Sequence, residues 1–199
     1  MKADIAYCDL PTAFVPCEFR VKWAQAGWEQ QQAMALRRAV FCDEQRVFKG
    51  DDIDAIDSHA QTLVALSRIA VMDDQVAGTV RIHQAEPALW WGSRLAVHSG
   101  FRRHGHLATT LIRLAVSSAH ARGCKIFLAH VQSQNVPLFE HLQWRALRSE
   151  QLHGRPHVLM QAELDAYPPC YDPYTGYVTR SSSSFPSPSG RGQGEGRQS

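Results

Sequence analysis

Residues 107–119, LATTLIRLAVSSA, follow Ala108 with Leu111, Ile112, Ala115 and Ala119, the i, i+3, i+4, i+7 spacing of one buried helix face. Strand-like runs stand directly on either side, LWWGSRLAV at 89–97 and CKIFLAHV at 124–131. A strand, a helix and a strand this close together have few ways to pack. The expected one is a right-handed crossover with the two strands parallel and the helix across the sheet. Gly123 stands where a helix C-terminal glycine belongs. The second run is apolar nearly throughout, the pattern of a strand covered on both faces.

The flanking segments read as antiparallel. CEFRVKWA is a first strand, and GWEQQQAMALRRAVFCDEQ a helix with Met34, Leu36 and Val40 among polar positions. QTLVALSRIAV and QVAGTVRIHQ form a hairpin turned at the MDD of 72–74. NVPLFEHLQW is a short helix with Asn135 as N-cap and Pro137 in its first turn. RALRSEQLHGRPHVLMQAEL closes as two strands around His153 and Gly154. The predicted class is α/β (α+β): a mixed, partly antiparallel central sheet with helices on its faces.

In such crossovers a ligand binds beyond the carboxyl end of the first strand, at the helix N-terminus. FRRHGHLA, residues 101–108, occupies that place. Its arginines stand at the positive end of the helix dipole, a poor position for cations unless an anion docks among them. Unpaired backbone N–H groups, the missing Cβ of Gly105, and the bidentate donors of Arg102 and Arg103 all suit a phosphate. The alternative is a solvated basic turn. Neither G-x-G-x-x-G nor G-K-[ST] is present, so a dinucleotide fingerprint and a P-loop are both excluded. His104 and His106 resemble a metal pair, but no third ligand cluster stands nearby and no metal is expected.

A formal net charge of +2, with cations and anions interspersed, argues against a protein that coats nucleic acid. The five cysteines (Cys8, Cys17, Cys42, Cys124, Cys170) are odd in number and form no C-x-x-C pair. The opening residues lack a secretory apolar core and no run approaches a membrane span, so a reduced, cytoplasmic protein is expected. From Tyr167 onward proline, serine and glycine replace the aliphatics. The expected organisation is a lead-in at 1–16, one domain at 17–167 and a disordered tail at 168–199.

Three blocks in this order resemble the GNAT superfamily of acetyl-CoA-dependent N-acyltransferases. SRLAVHSGFRRHGHLATTLIRLAV (93–116) resembles that family's fourth strand, pyrophosphate loop and third helix, where the family writes R/Q-x-x-G-x-G/A. Arg102 takes the first position and Gly105 the glycine; Leu107 stands where a second small residue is expected, with Ala108 one later. QSQNVPLFEHLQWRAL (132–147) resembles the next block, in which an asparagine, here Asn135, precedes a short helix ending in L-G-F, here Leu142 to Trp144. LRRAVFCDEQ (36–45) resembles an R-x-x-V-F-x-x-E-Q opening, with Arg38 or Arg37, Phe41, Glu44 and Gln45 in place. The resemblance covers about residues 17–165 and implies a splayed parallel strand pair at an acyl-CoA site.

It also implies that acetyl-CoA is the co-substrate, with its pyrophosphate on backbone amides of Arg102, Arg103, His104, Gly105, His106, Leu107 and Ala108. Backbone groups of Leu95, Ala96 and Val97 would pair with the pantetheine arm like an added strand, with Asn135 and Phe139 beside it. The implied reaction is direct acyl transfer to a primary amine of a small-molecule or peptide acceptor. A lysine-like amine has a pKa of about 10.4, so presenting it neutral at pH 7 costs about 4–5 kcal/mol. A carboxylate, histidine or water chain must lower that cost.

Glu44 and His83 are the candidate catalytic residues, with Asp57 behind them. Each has an ordinary structural alternative: Glu44 caps or pairs with an arginine, and His83 sits on an edge strand. Where many family members carry a tyrosine that protonates the leaving thiolate, this chain has Phe139. That favours a rival reading, a non-catalytic acyl-CoA-binding module acting through a partner. The acidic stretch Asp51 to His59 is either an attractor for a cationic amine or a solvated loop; Trp90 and Trp91 are either pocket walls or core. Neither nucleic acid nor membrane is an expected partner, and the chain is expected to be a monomer or homodimer.

Overall fold

A computed structural model describes residues 18–69, 72–103 and 106–180. The chain runs β1 (Glu18–Trp23), α1 (Gly27–Arg38), β2 (Gln61–Ile69), β3 (Met72–Glu86), β4 (Leu89–Val97), α2 (Leu107–His120), β5 (Ile126–Gln132), α3 (Val136–His141), β6 (Trp144–Leu152), β7 (Arg155–Ala162) and β8 (Tyr177–Arg180). The strands form one sheet in the order β6-β7-β5-β4-β3-β2-β1-β8. The pair β4–β5 is parallel, as the crossover requires, and the pairs among the other neighbours are antiparallel.

Both faces of the central strands are covered. Leu63 and Ala65 of β2 join the core under α2, while Val64 and Leu66 point the other way into the core under α1. Here the unbroken apolar run belongs to β2. β5, expected to be covered on both faces, alternates instead: Phe127, Ala129 and Val131 are buried while His130 is not. The reason is that α1 covers β2, β3 and β4 but not β5.

Three further expectations are corrected. The MDD of 72–74 lies inside β3 rather than forming the turn, so the reversal falls between Ile69 and Met72. The first helix ends at Arg38 and continues as a π-helical turn, Ala39–Glu44, closed by Gln45 N–H on Val40 O at 2.9 Å. The part of the expected tail from 168 to 180 is ordered; residues 181–199 lie outside the described residues. β8 pairs with β1 from Glu18↔Arg180 to Val21↔Tyr177. The lead-in to β8 donates Cys170 N–H to Ser117 O at 2.9 Å, and Pro173 O accepts from Trp23 N–H at 2.8 Å. Under this segment and β1, Ser117 and Ser118 of α2 are buried. Trp23 Nε1 donates to Ser118 Oγ at 3.2 Å, and the Arg122 guanidinium lies 3.9 Å over the Trp23 ring.

Candidate active site

β4 and β5 pair only from Leu89↔Ile126 to Gly92↔Ala129. Beyond Gly92, β4 stays on β3 but with a bulge. Arg81 pairs with Ser93 and Thr79 with Ala96, so Arg94 and Leu95 together stand opposite Val80. Arg94 has φ +56, the left-handed conformation an extra residue takes in such a bulge. The bulge bends β4 away from β5, and a cavity of about 630 Å³ opens between them. On the α2 side its walls include Ile112, Val116, Phe127 and Phe139; on the other side they include Phe41, Phe48, Ile53 and Trp91.

At the mouth on the helix side, α2 begins after His106, whose φ is +49 and whose side chain caps nothing. Thr110 N–H donates to His106 O at 3.0 Å, and among the described residues no acceptor meets the N–H groups of Leu107 to Thr109. Arg103 is exposed beside them. Leu107 is buried in the main core, which accounts for a large side chain where the family pattern has a small one; only its backbone is available to a ligand. His104 and Gly105 lie outside the described residues. Ala96 packs under α1, Leu95 lines the cavity and Val97 O accepts from Arg102 Nε at 3.1 Å. Asn135 lines the cavity but makes no side-chain cap to α3, because a 3₁₀ turn, Ser133–Asn135, precedes the helix. Phe139 is buried edge-on to Trp144, with ring centroids 5.0 Å apart. An unpaired strand edge followed by an uncapped helix start is a donor set that fits an extended pantetheine and its pyrophosphate.

Arg102 is committed elsewhere than expected. Its Nη2 lies 2.5 Å from Glu44 Oε2, and both side chains are more than two-fifths exposed. The pairing lowers the Glu44 pKa and raises that of Arg102. An exposed pair of this kind contributes about 0.2–1 kcal/mol, so little is lost when it opens. Glu44 and His83 are not brought together: Gln45, not Glu44, faces the cavity, while His83 lines it.

Of the four aspartates in the acidic stretch, Asp51 is exposed, while Asp52, Asp54 and Asp57 are taken up by arginines. Arg37 Nε lies 2.8 Å from Asp52 Oδ2, and its two terminal nitrogens reach Asp57 at 2.6 and 3.0 Å. Arg81 holds Asp54 at 2.6 and 3.0 Å and Asp57 at 2.9 Å. Arg94 closes the set on Asp52 and Asp54 at 2.9 and 3.2 Å. Arg37 and Arg81 are 1% and 2% exposed. Although burial raises it, the Asp57 pKa is held far below the carboxylate range by Arg37, the Asp54 backbone and Arg81. That removes Asp57 as a base. The network also decides which arginine fills the R-x-x-V-F position: Arg37 is in it, while Arg38 is exposed.

Around Trp91 the cavity is lined by imidazoles. His83 is directly opposite Trp91 in the β3–β4 register, and its Nδ1 is buried without a hydrogen-bond partner among the described residues. Burial, Arg81 and His59 lower its pKa. His130, on the half-uncovered face of β5, lies 5.0 Å from Trp91 ring to ring, and its Nε2 is 3.0 Å from Glu150 Oε2. Burial lowers its pKa, partly offset by Glu150. Trp90, by contrast, is core. Sequence reasoning named Arg37 but passed over Arg81, Arg94 and His130; His130 stands one residue beyond the end of the β4–β5 pairing, a position that only the fold reveals. Among the described residues no group of three His, Cys, Asp or Glu could hold a metal, and no helix is long and apolar enough to cross a membrane.

The family model described as Acetyltransferase (GNAT) family matches residues 22–143. No curated protein matches the sequence. Similar solved structures include a Lactobacillus plantarum protein assigned as an N-acetyltransferase, with TM-score 0.64, 21% identity, and coverage of 73% of this chain and 98% of that one. Escherichia coli ElaA superimposes with TM-score 0.56 at 16% identity, covering 74% and 99%. An acyl-CoA N-acyltransferase from Pseudomonas aeruginosa gives 0.57 at 17%, covering 72% and 97%. At these identities the likeness is one of fold.

Proposed function

The chain belongs to the acetyltransferase (GNAT) family, and from that premise we propose that it transfers an acetyl group from acetyl-CoA to a primary amine. The observation that supports this best is the gap between β4 and β5, with an unpaired β4 edge leading to the uncapped start of α2. The edge from Ser93 to Val97 binds the pantetheine arm as an added strand, once Arg102 releases Val97 O. The amides around Arg102–Ala108 take the pyrophosphate, with Arg103 as the exposed cation. Gly105→Asp is expected to weaken CoA binding strongly by setting a carboxylate where the phosphates go; equal calorimetric affinity for wild type and variant contradicts this.

In the reaction the amine nitrogen attacks the thioester carbonyl carbon, the C–N bond forms and the C–S bond breaks. His83 takes the proton the incoming ammonium must lose. Its lowered pKa keeps the imidazole neutral near pH 7 and able to accept. Phe139 has no proton for the departing thiolate, so water relays to the sulfur the second proton that the nitrogen loses as the amide forms. Glu44 takes no part as a base, because Gln45 rather than Glu44 lines the cavity.

The test is thiol release over pH with a panel of amines. The wild-type rate should fall on the acid side through an apparent pKa below about 6.5. His83→Gln should lose that limb and fall about 10²- to 10⁴-fold with CoA affinity unchanged. An unaltered profile in His83→Gln removes His83 as the base. CoA binding without thiol release from any amine makes the chain a non-catalytic acyl-CoA-binding module, the reading Phe139 favours.

A further inference from the structure

We infer that the acceptor is an arylalkylamine: a primary amine on a flat aromatic body that carries no carboxylate, seated against Trp91 between His83 and His130. The inference rests on the acyl-transfer reading above and adds the substrate class. It is carried by what surrounds the cavity on the side away from α2.

The charges there cancel. Asp52 and Asp54 line the cavity, and each accepts from two of the arginines Arg37, Arg81 and Arg94. With Asp57 the cluster has three carboxylates and three guanidiniums, fixed by hydrogen bonds in a largely buried site. A polyamine or a lysine-rich peptide needs unpaired carboxylates for its further cations, and these are taken. An amino acid needs an unpaired cation for its carboxylate, and Arg81 and Arg94 are bound to aspartates. A charged group on the acceptor, other than the reacting amine, would therefore be desolvated without a partner.

The remaining surface is aromatic. Trp91 is half-buried, its ring tilted 34° to that of His130, and His83 is its cross-strand neighbour. Phe48 lies across the cavity, edge-on to His153 at 4.8 Å and under the Arg94 guanidinium at 4.4 Å. A flat ring can stack in this slot, and an ammonium beside the indole gains a cation–π attraction before giving its proton to His83. With both imidazoles shifted toward the neutral form by burial, neither repels it.

The experiment uses the full chain with acetyl-CoA and three probes: tryptamine, tryptophan and spermidine. Tryptamine should give the highest kcat/KM by about ten-fold or more, tryptophan losing through its carboxylate and spermidine through its extra cations. Trp91→Ala should raise KM for tryptamine about ten-fold with CoA affinity unchanged, and Trp91→Phe should restore most of it. Spermidine or tryptophan outperforming tryptamine overturns the inference while leaving acyl transfer standing. Calorimetric binding of tryptamine to the CoA-loaded protein is read in parallel. Binding that Trp91→Ala abolishes, without thiol release, keeps the acceptor pocket and removes the proposed activity. No tryptamine binding overturns the inference.

Discussion

Arg37→Met lowers stability by about 3–5 kcal/mol, the cost of removing one partner from a buried ionic set. For a chain of this size that corresponds to a melting point roughly 6–20 °C lower. Arg37 anchors both Asp52 and Asp57, and no solvent reaches the site to replace it, since the side chain is 1% exposed. Arg102→Ala, which removes an exposed pair, should change stability by less than about 1 kcal/mol. The acid limb gives a second signature. Asp54 and Asp57 have folded pKa values below their ordinary ones. Their stabilisation is thus complete above about 3.9 and is lost as pH falls through the lower folded values. Without Arg37 the Asp57 value rises, so the variant should unfold at a higher pH than wild type. Thermal melts between pH 3 and 7 check both effects, and a melting point within 2 °C of wild type would refute the assignment.

The second large effect is expected where β8 meets β1. Gly176 has φ +64, and a Cβ there would stand 2.0 Å from Val21 O and 2.9 Å from Lys22 Cα. Neither the backbone conformation nor the space admits a branched side chain. Gly176→Val should therefore detach the segment that carries β8 and cost about 2–4 kcal/mol. A chain ended at Tyr167 should melt at a similarly lowered temperature relative to one ended at Arg180, because both changes remove the same docking. If Gly176→Val melts with wild type, the close approach to β1 is not what the glycine serves. Equal melting of the two shortened chains would show that the β1 edge stands without β8.

The elements that sequence reasoning located are those whose pattern is local. α2 declares itself through Leu111, Ile112 and Ala115, and its neighbours through runs of strand formers, so the crossover and the ligand end of α2 follow. What stayed hidden depends on partners far along the chain. β8 is four residues, YVTR, and only β1, more than 150 residues earlier, makes it a strand. The acids at 52–57 read as a solvated loop or an attractor for an amine because their arginines sit at 37, 81 and 94, on α1, β3 and β4. His83 was reachable as a strand-end histidine facing a pocket. His130 needed the knowledge that α1 leaves the outer half of β5 uncovered, and periodicity does not carry it.

The bulge at Arg94 also means that β4 is written in two phases. Before it, odd-numbered residues point away from α2: Ser93 accepts from Arg81 Nε at 3.0 Å, while even-numbered Trp90 is core under α2. After it the parity is exchanged, with Ala96 under α1 and Leu95 and Val97 against the α2 core. Losing one residue between Ser93 and Leu95 is thus a frameshift in space. It would turn Ala96 and Val97 onto each other's faces and, by restoring a regular pleat, let β4 run alongside β5 and close the gap that holds the site. Substitutions here can be graded by size and charge, but the loss of a residue from this stretch is all-or-none, and in natural variants of the chain deletions should stop short of it.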